Sequence, residues 1–217
     1  MANSVPMGTF LRRHAATCAL VLSMIGVLFP VLTTRAEPAA SSPGRGYWLV
    51  GTDGGIFAYG DAPYRGSTGA IRLNQPIVGM APTSSGGGYW LVATDGGIFT
   101  FGDAGFLGST GALILNKPIV GMAPTPSGKG YWLLASDGGI FTFGDAAFAG
   151  ALPGSSIPGP AVAMRPTRTG AGYLIATAAG RIAAFGDAPV LGDVPERVPG
   201  YRGGAIGLEV KATPQSA

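Results

Sequence analysis

The segment GYWLVGTDGGIFAYGDA starts at Gly46 and returns as GYWLVATDGGIFTFGDA at Gly88 and GYWLLASDGGIFTFGDA at Gly130. A worn copy, GYLIATAAGRIAAFGDA, starts at Gly172, so each copy begins 42 residues after the one before. No other feature limits the fold as strongly. A unit of this length cannot enclose a core alone, whereas stacked copies bury each other's faces.

Each unit reads as short antiparallel strands. In the second, PIVGMAPT from Pro76 is an apolar strand ended by SSGGG. YWLVAT is aromatic and β-branched, the composition of a strand. The Asp-Gly-Gly that follows predicts a two-residue type I′ hairpin turn. IFTFG is the next strand, and DAGFLGSTGALILN is expected to hold a fourth, weaker one with a glycine-rich bend. No segment has helical periodicity. YWLVAT also fails to alternate apolar with polar, so both of its faces need cover. A small sheet packed between two copies of itself meets that need. The fold class expected is therefore all-β, a β-propeller with blades of about 42 residues. PIVGMAPT is the expected innermost strand, where Gly79 and Gly121, and Ala163 in the third such segment, leave room near a crowded axis.

The first copy has no PIVGMA segment before it; its upstream stretch is EPAASSPGR. After the fourth copy comes AIGLEVKATP, Ala205 to Pro214, which resembles PIVGMAPTP with two extra residues of offset. Joining these ends predicts a four-bladed monomeric ring closed by the C-terminal strand, with no open sheet edge. The alternative is an open half-ring that pairs with a second chain into a larger propeller.

Residues 1–36 read as an export signal. Arg12, Arg13 and His14 form a basic start, Ala15 to Leu32 is apolar, and Thr34-Arg35-Ala36 suits cleavage before Glu37. An uncleaved anchor is the alternative, and either places the remainder outside the cell. Residues 37–44 are then a linker, 45–214 the four-repeat domain and 215–217 a tail. Cleavage removes the only cysteine, Cys18, and the only histidine, His14. It also turns a net charge of +3 into a balance of 11 basic and 11 acidic residues. The neutral remainder gives no basic face for nucleic acid. Without His or Cys it cannot assemble a Ser–His–Asp or Cys–His apparatus, or the usual nitrogen and sulfur ligands of zinc.

The recurring acids are the candidate site. Asp61, Asp103, Asp145 and Asp187 stand in all four copies as Gly-Asp-Ala. Asp53, Asp95 and Asp137 precede Gly-Gly in three copies, with Ala179 in the fourth. A carboxylate ring would bind Ca²⁺ or sugar hydroxyls. The competing reading, preferred for both sets, is turn chemistry. Trp48, Trp90 and Trp132 are expected in blade-to-blade packing. Tyr47, Tyr89, Tyr131 and Tyr173 persist in every copy, and a phenol can pack its ring while its hydroxyl stays wet, which makes them surface candidates. A glycosidase needs only two carboxylates. The non-repeated acids Glu37, Asp193, Glu196 and Glu209 form no evident pair, so no catalytic residue is assigned.

The motif GYWLVATDGGIFTFGDAGFLGSTG, continued by LNKPIVGMAPTPSGKGYWLL, closely resembles a repeat of secreted and cell-surface proteins of actinobacteria. Such repeats occur in tandem arrays, sometimes beside cell-wall hydrolases. The resemblance covers residues 44 to about 190. It implies an extracellular propeller-like module and no defined ligand or catalytic residue. The fourth copy departs from the pattern at Leu174, Ala179, Arg181 and Ala183. The function expected is non-catalytic binding of cell-wall glycan or a surface protein at the envelope. The alternatives are a carboxylate-dependent glycan hydrolase or a purely structural surface module.

Overall fold

The computed structural model describes residues 45–152 and 159–210. The expected signal and linker lie outside the described residues, as do residues 211–214 of the expected last strand and the 215–217 tail. Four antiparallel sheets follow one another in chain order. The first pairs β1 (Tyr47–Val50) with β2 (Ile56–Tyr59). The second orders β3 (Ile77–Pro82), β4 (Tyr89–Ala93) and β5 (Ile98–Phe101). The third orders β6 (Ile119–Pro124), β7 (Gly130–Ala135) and β8 (Ile140–Gly144). The fourth orders β9 (Ala161–Pro166), β10 (Tyr173–Thr177) and β11 (Ile182–Phe185). Each sheet resembles a propeller blade. One short helix, α1 (Val194–Arg197), follows the fourth.

The cores lie between blades, as a strand with two apolar faces requires. Every residue of β4 and β7 is buried. Trp48 and Ile56 of blade 1 pack on Tyr89 and Leu91 of blade 2. Trp90 and Val92 of blade 2 meet Tyr131 and Leu133 of blade 3. Trp132 and Leu134 of blade 3 meet Tyr173 and Ile175 of blade 4. Among the described residues, no core cluster joins blade 4 to blade 1. The PIVGMAP strands β3, β6 and β9 contact one another in succession, as expected of the innermost position. The crowding expected there is partial. A Cβ on Gly79 would come within 3.1 Å of Val92, but one on Gly121 would meet nothing within 4 Å.

Three expectations need correction. The hairpin after YWLVAT is not a two-residue type I′ turn. Gly96 N–H donates to the Ala93 carbonyl at 2.8 Å, Ala93 N–H donates to Gly97 at 2.9 Å, and Gly96 alone has positive φ, +76°. This is a three-residue loop with its left-handed residue last, and Asp95 is spared the positive φ that type I′ demands. The weaker fourth strand does not form. Its backbone groups bond to the next blade: Leu107 N–H donates to the Tyr131 hydroxyl, which donates to the Gly108 carbonyl. Finally, the described part of the last segment, 205–210, forms no strand and pairs with no other. It lies against blade 4. Ala205 N–H donates to the Ala178 carbonyl at 2.9 Å, and Glu209 bridges Arg165 at 2.7 Å. The first bond repeats those of Ile77 to Thr52, Ile119 to Thr94 and Ala161 to Ser136. The segment therefore starts where a fifth inner strand would start, while β1 keeps an open edge.

Candidate functional site

The Gly-Asp-Ala carboxylates are exposed, and each is held within its own blade. Asp103 accepts from the Thr83 hydroxyl at 2.8 Å and from the Ser85 hydroxyl. Asp145 accepts from Thr125 at 2.8 Å and Ser127 at 2.5 Å, and Asp187 from Thr167 at 2.7 Å and from Thr169. These hydroxyl donors hold all three carboxyls below the usual carboxylate range. Each threonine also bonds the chain across its own turn, as Thr125 does with Gly130. The aspartate thus ties the turn before the middle strand to the end of the third strand. In blade 1, Asp61 accepts from Arg45 N–H at 3.2 Å. Asp53, Asp95 and Asp137 each accept from the N–H two residues on, at 2.9–3.0 Å, the turn bond expected of them. Among the described residues no three His, Cys, Asp or Glu side chains gather as a metal site would need.

The hydroxyl donors escaped sequence reading although Thr83, Thr125 and Thr167 share the repeat spacing, as do Ser85, Ser127 and Thr169.

Three of the four tyrosines are not at the surface. Tyr89, Tyr131 and Tyr173 are fully buried, and burial pushes their hydroxyls above the ordinary phenol range. Their hydroxyls are not wet, because the preceding blade uses them. Tyr89 accepts from Arg65 N–H and donates to the Gly66 carbonyl; Tyr173 does the same with Ala149 and Gly150. Only Tyr47 faces solvent, at 58% exposure.

Between Asp and those backbone groups sits an aromatic that the repeat also presents. Tyr64, Phe106 and Phe148 occupy one position in successive copies and are 60–63% exposed. The backbone on either side is pinned. Before the aromatic, the carbonyls of Pro63, Gly105 and Ala147 accept from the indole N–H of Trp48, Trp90 and Trp132 at 2.8–3.0 Å. After it, the N–H groups of Arg65, Leu107 and Ala149 are held by the next blade's tyrosine hydroxyl. Each exposed ring therefore stands on a backbone fixed by two blades, three residues beyond a carboxylate. In the fourth copy Leu174 replaces the tryptophan and Val190 the aromatic, so pin and ring are lost together.

The non-repeated acids have structural partners. Asp193 pairs with Arg181 at 3.0 Å and forms a capping box with Glu196 at the start of α1. Glu209 pairs with Arg165.

No protein-family model and no curated protein matches the chain. Solved structures show distant similarity to β-propeller domains. The Cps50 (Swd1) β-propeller domain of Myceliophteria thermophila aligns at 12% identity and a TM-score of 0.42. That alignment covers 64% of this chain and 47% of the other, so the chain spans about half of that domain. Raptor of Chaetomium thermophilum aligns at 14% identity and a TM-score of 0.36, over 54% of this chain and 12% of Raptor.

Proposed function

We propose that the chain is an exported, non-catalytic binding module of the cell envelope, built of β-propeller blades. Its ligand is a cell-wall glycan, held along the row Tyr64, Phe106 and Phe148. The observation behind this reading is the pinned aromatic repeated in the first three blades. An aromatic face left in water costs free energy unless something covers it, and blade packing does not use these rings. A rigid ring offers a stacking face for a sugar without losing conformational freedom on binding. Three residues before Phe106 and Phe148, the carboxylates of Asp103 and Asp145 have acceptor capacity for sugar hydroxyls beyond the Thr and Ser bonds they accept. A polymer with regularly spaced residues suits a row with one ring per blade. The resemblance to actinobacterial surface repeats supports an envelope setting.

The test is co-sedimentation of the purified protein with isolated actinobacterial cell-wall polysaccharide, with Ca²⁺ or with chelator. Saturable pelleting is expected, and it should be lost in the variant Tyr64→Ala/Phe106→Ala/Phe148→Ala while the β-sheet circular dichroism is kept. Loss with chelator would add a cation held by the aspartates. An unbound wild-type protein under both conditions sinks the glycan reading and turns the search to a protein ligand on the same rings.

A further inference from the structure

The two ends of the row of blades are complementary, and the repeat specifies how they fit. At each internal junction three contacts recur at the same spacing, and a fourth recurs within the later blade. A tryptophan of one blade meets a tyrosine of the next at 5.8–6.0 Å: Trp48 with Tyr89, Trp90 with Tyr131, Trp132 with Tyr173. The tyrosine hydroxyl takes an N–H and a C=O of the earlier blade. A positive-φ glycine of the earlier blade lies under a phenylalanine of the next: Gly66 under Phe101, Gly108 under Phe143, Gly150 under Phe185. An inner strand pairs with the tyrosine strand, placing Met80 opposite Leu91, Met122 opposite Leu133 and Met164 opposite Ile175.

One more repeat step from the last junction names the missing set. Leu174 stands at the tryptophan position, Leu191 and Gly192 at the N–H and C=O positions, and Gly192 keeps its positive φ of +96°. Leu208 stands at the methionine position once the two-residue offset is counted. These residues line a cavity of about 380 Å³ on the open side of blade 4, between the 189–192 turn and residues 208–210, with Leu174 and Ile182 also in its wall. The residues that would fill it are Tyr47, Leu49 and Tyr59, which stand 42 residues before Tyr89, Leu91 and Phe101. All three are exposed, at 58, 54 and 46%, while Tyr89 and Leu91 are fully buried. Tyr47 and Tyr59 stack on each other at 5.0 Å and 22°, whereas the covered pairs Tyr89–Phe101, Tyr131–Phe143 and Tyr173–Phe185 are tilted at 41–46°.

We propose that this cavity receives the first blade of a second copy of the chain, and that two copies join head to tail at both ends into one closed ring of blades. Tyr47 of one copy bonds Leu191 N–H and the Gly192 carbonyl of the other. Tyr59 covers Gly192, and residues 205–210 become the missing third strand beside β1. A second copy is favoured over closure within one chain by two observations. Among the described residues, both faces stay open when the four blades are packed on one another. Gly121, on an inner strand, faces open space rather than the narrow axis that a ring of four would impose. A two-fold ring satisfies both ends of each copy and leaves no edge for further growth.

The test uses the full chain carrying Cys18→Ser, with mass measured by light scattering across a dilution series. Twice the mass of one chain is expected. Leu49→Asp and Leu191→Asp should each reduce it to one chain and keep the β-sheet signal, since both leucines are already exposed. A mixture of Leu49→Cys chains and Leu208→Cys chains should form a disulfide between different chains, because the repeat sets these two opposite each other as it does Leu91 and Met80. A parent protein with the mass of one chain at every concentration overturns the proposal. So does a disulfide that forms only when one chain carries both cysteines, which would place the same contacts inside a single ring. Species larger than two copies would overturn the two-fold closure.

Discussion

Tyr47 and Tyr131 occupy the same place in two copies of one motif, and both begin a YWL segment. Tyr131 is fully buried with its hydroxyl bonded to Leu107 and Gly108, whereas Tyr47 is 58% exposed and stacks on its own hairpin partner Tyr59. The strand around Tyr131 is buried throughout; the strand around Tyr47 is exposed at three positions and half-buried only at Trp48. Local sequence is nearly constant between them. The variable is the neighbour. Among the described residues, blade 3 has a sheet on each side, and blade 1 has one only toward blade 2. The same side chains thus act as core in one copy and as an uncovered face in another.

The largest effect that could break this comparison comes from the tryptophans. Trp132→Ala should cost about 3–5 kcal/mol in urea unfolding, since it removes a buried indole from between two blades. Trp48→Ala should cost clearly less, because Trp48 is only half-buried. Equal losses would mean that blade 1 is as well covered as blade 3.

A smaller effect comes from single hydroxyls. Tyr131→Phe leaves Leu107 N–H and the Gly108 carbonyl without their partner and should cost about 1–3 kcal/mol. Tyr47→Phe removes a hydroxyl with no hydrogen-bond partner among the described residues. Its effect should fall on association of copies, read as a shift of the double-mass species to higher protein concentration, and not on the unfolding midpoint of the dilute chain. A matching drop in that midpoint would place Tyr47 in an internal contact.

The smallest effect is in the acid limb. The folded carboxyls of Asp103, Asp145 and Asp187 sit below their ordinary value, held there first by Ser85, Ser127 and Thr169 and then by Thr83, Thr125 and Thr167. A depressed carboxyl stabilises the fold at neutral pH. That contribution is complete above the unfolded value of about 3.9 and is lost as pH falls through the lower folded value. The melting temperature should therefore drop on acidification below about pH 4, and the variant Asp103→Asn/Asp145→Asn/Asp187→Asn should show a shallower drop. An unchanged acid limb would separate the aspartates from stability and strengthen their claim as ligand contacts.

What could be read from the chain divides by distance along it. The turn role of Asp95 was legible because its acceptor contact is with Gly97, two residues away. The partners of Asp103 were not, because Thr83 and Ser85 lie 18–20 residues earlier, across the blade. The exposed ring of Phe106 has the same 42-residue period as the motif and could have been found by it. Its two pins could not, since one comes from Trp90 in its own blade and the other from Tyr131 in the next.

The sequence by itself determined the number of sheets and the places where their hairpins turn, because a repeated Asp-Gly-Gly between two apolar runs marks a turn from residues a few positions apart; the type of that turn and the missing fourth strand were not legible in it. Only the tertiary structure decided which tyrosines are core, where the carboxylates are tied, and that among the described residues the first and fourth blades each have an uncovered face. Burial is a property of the surface a neighbour supplies, and four near-identical segments cannot state which of them has a neighbour on both sides.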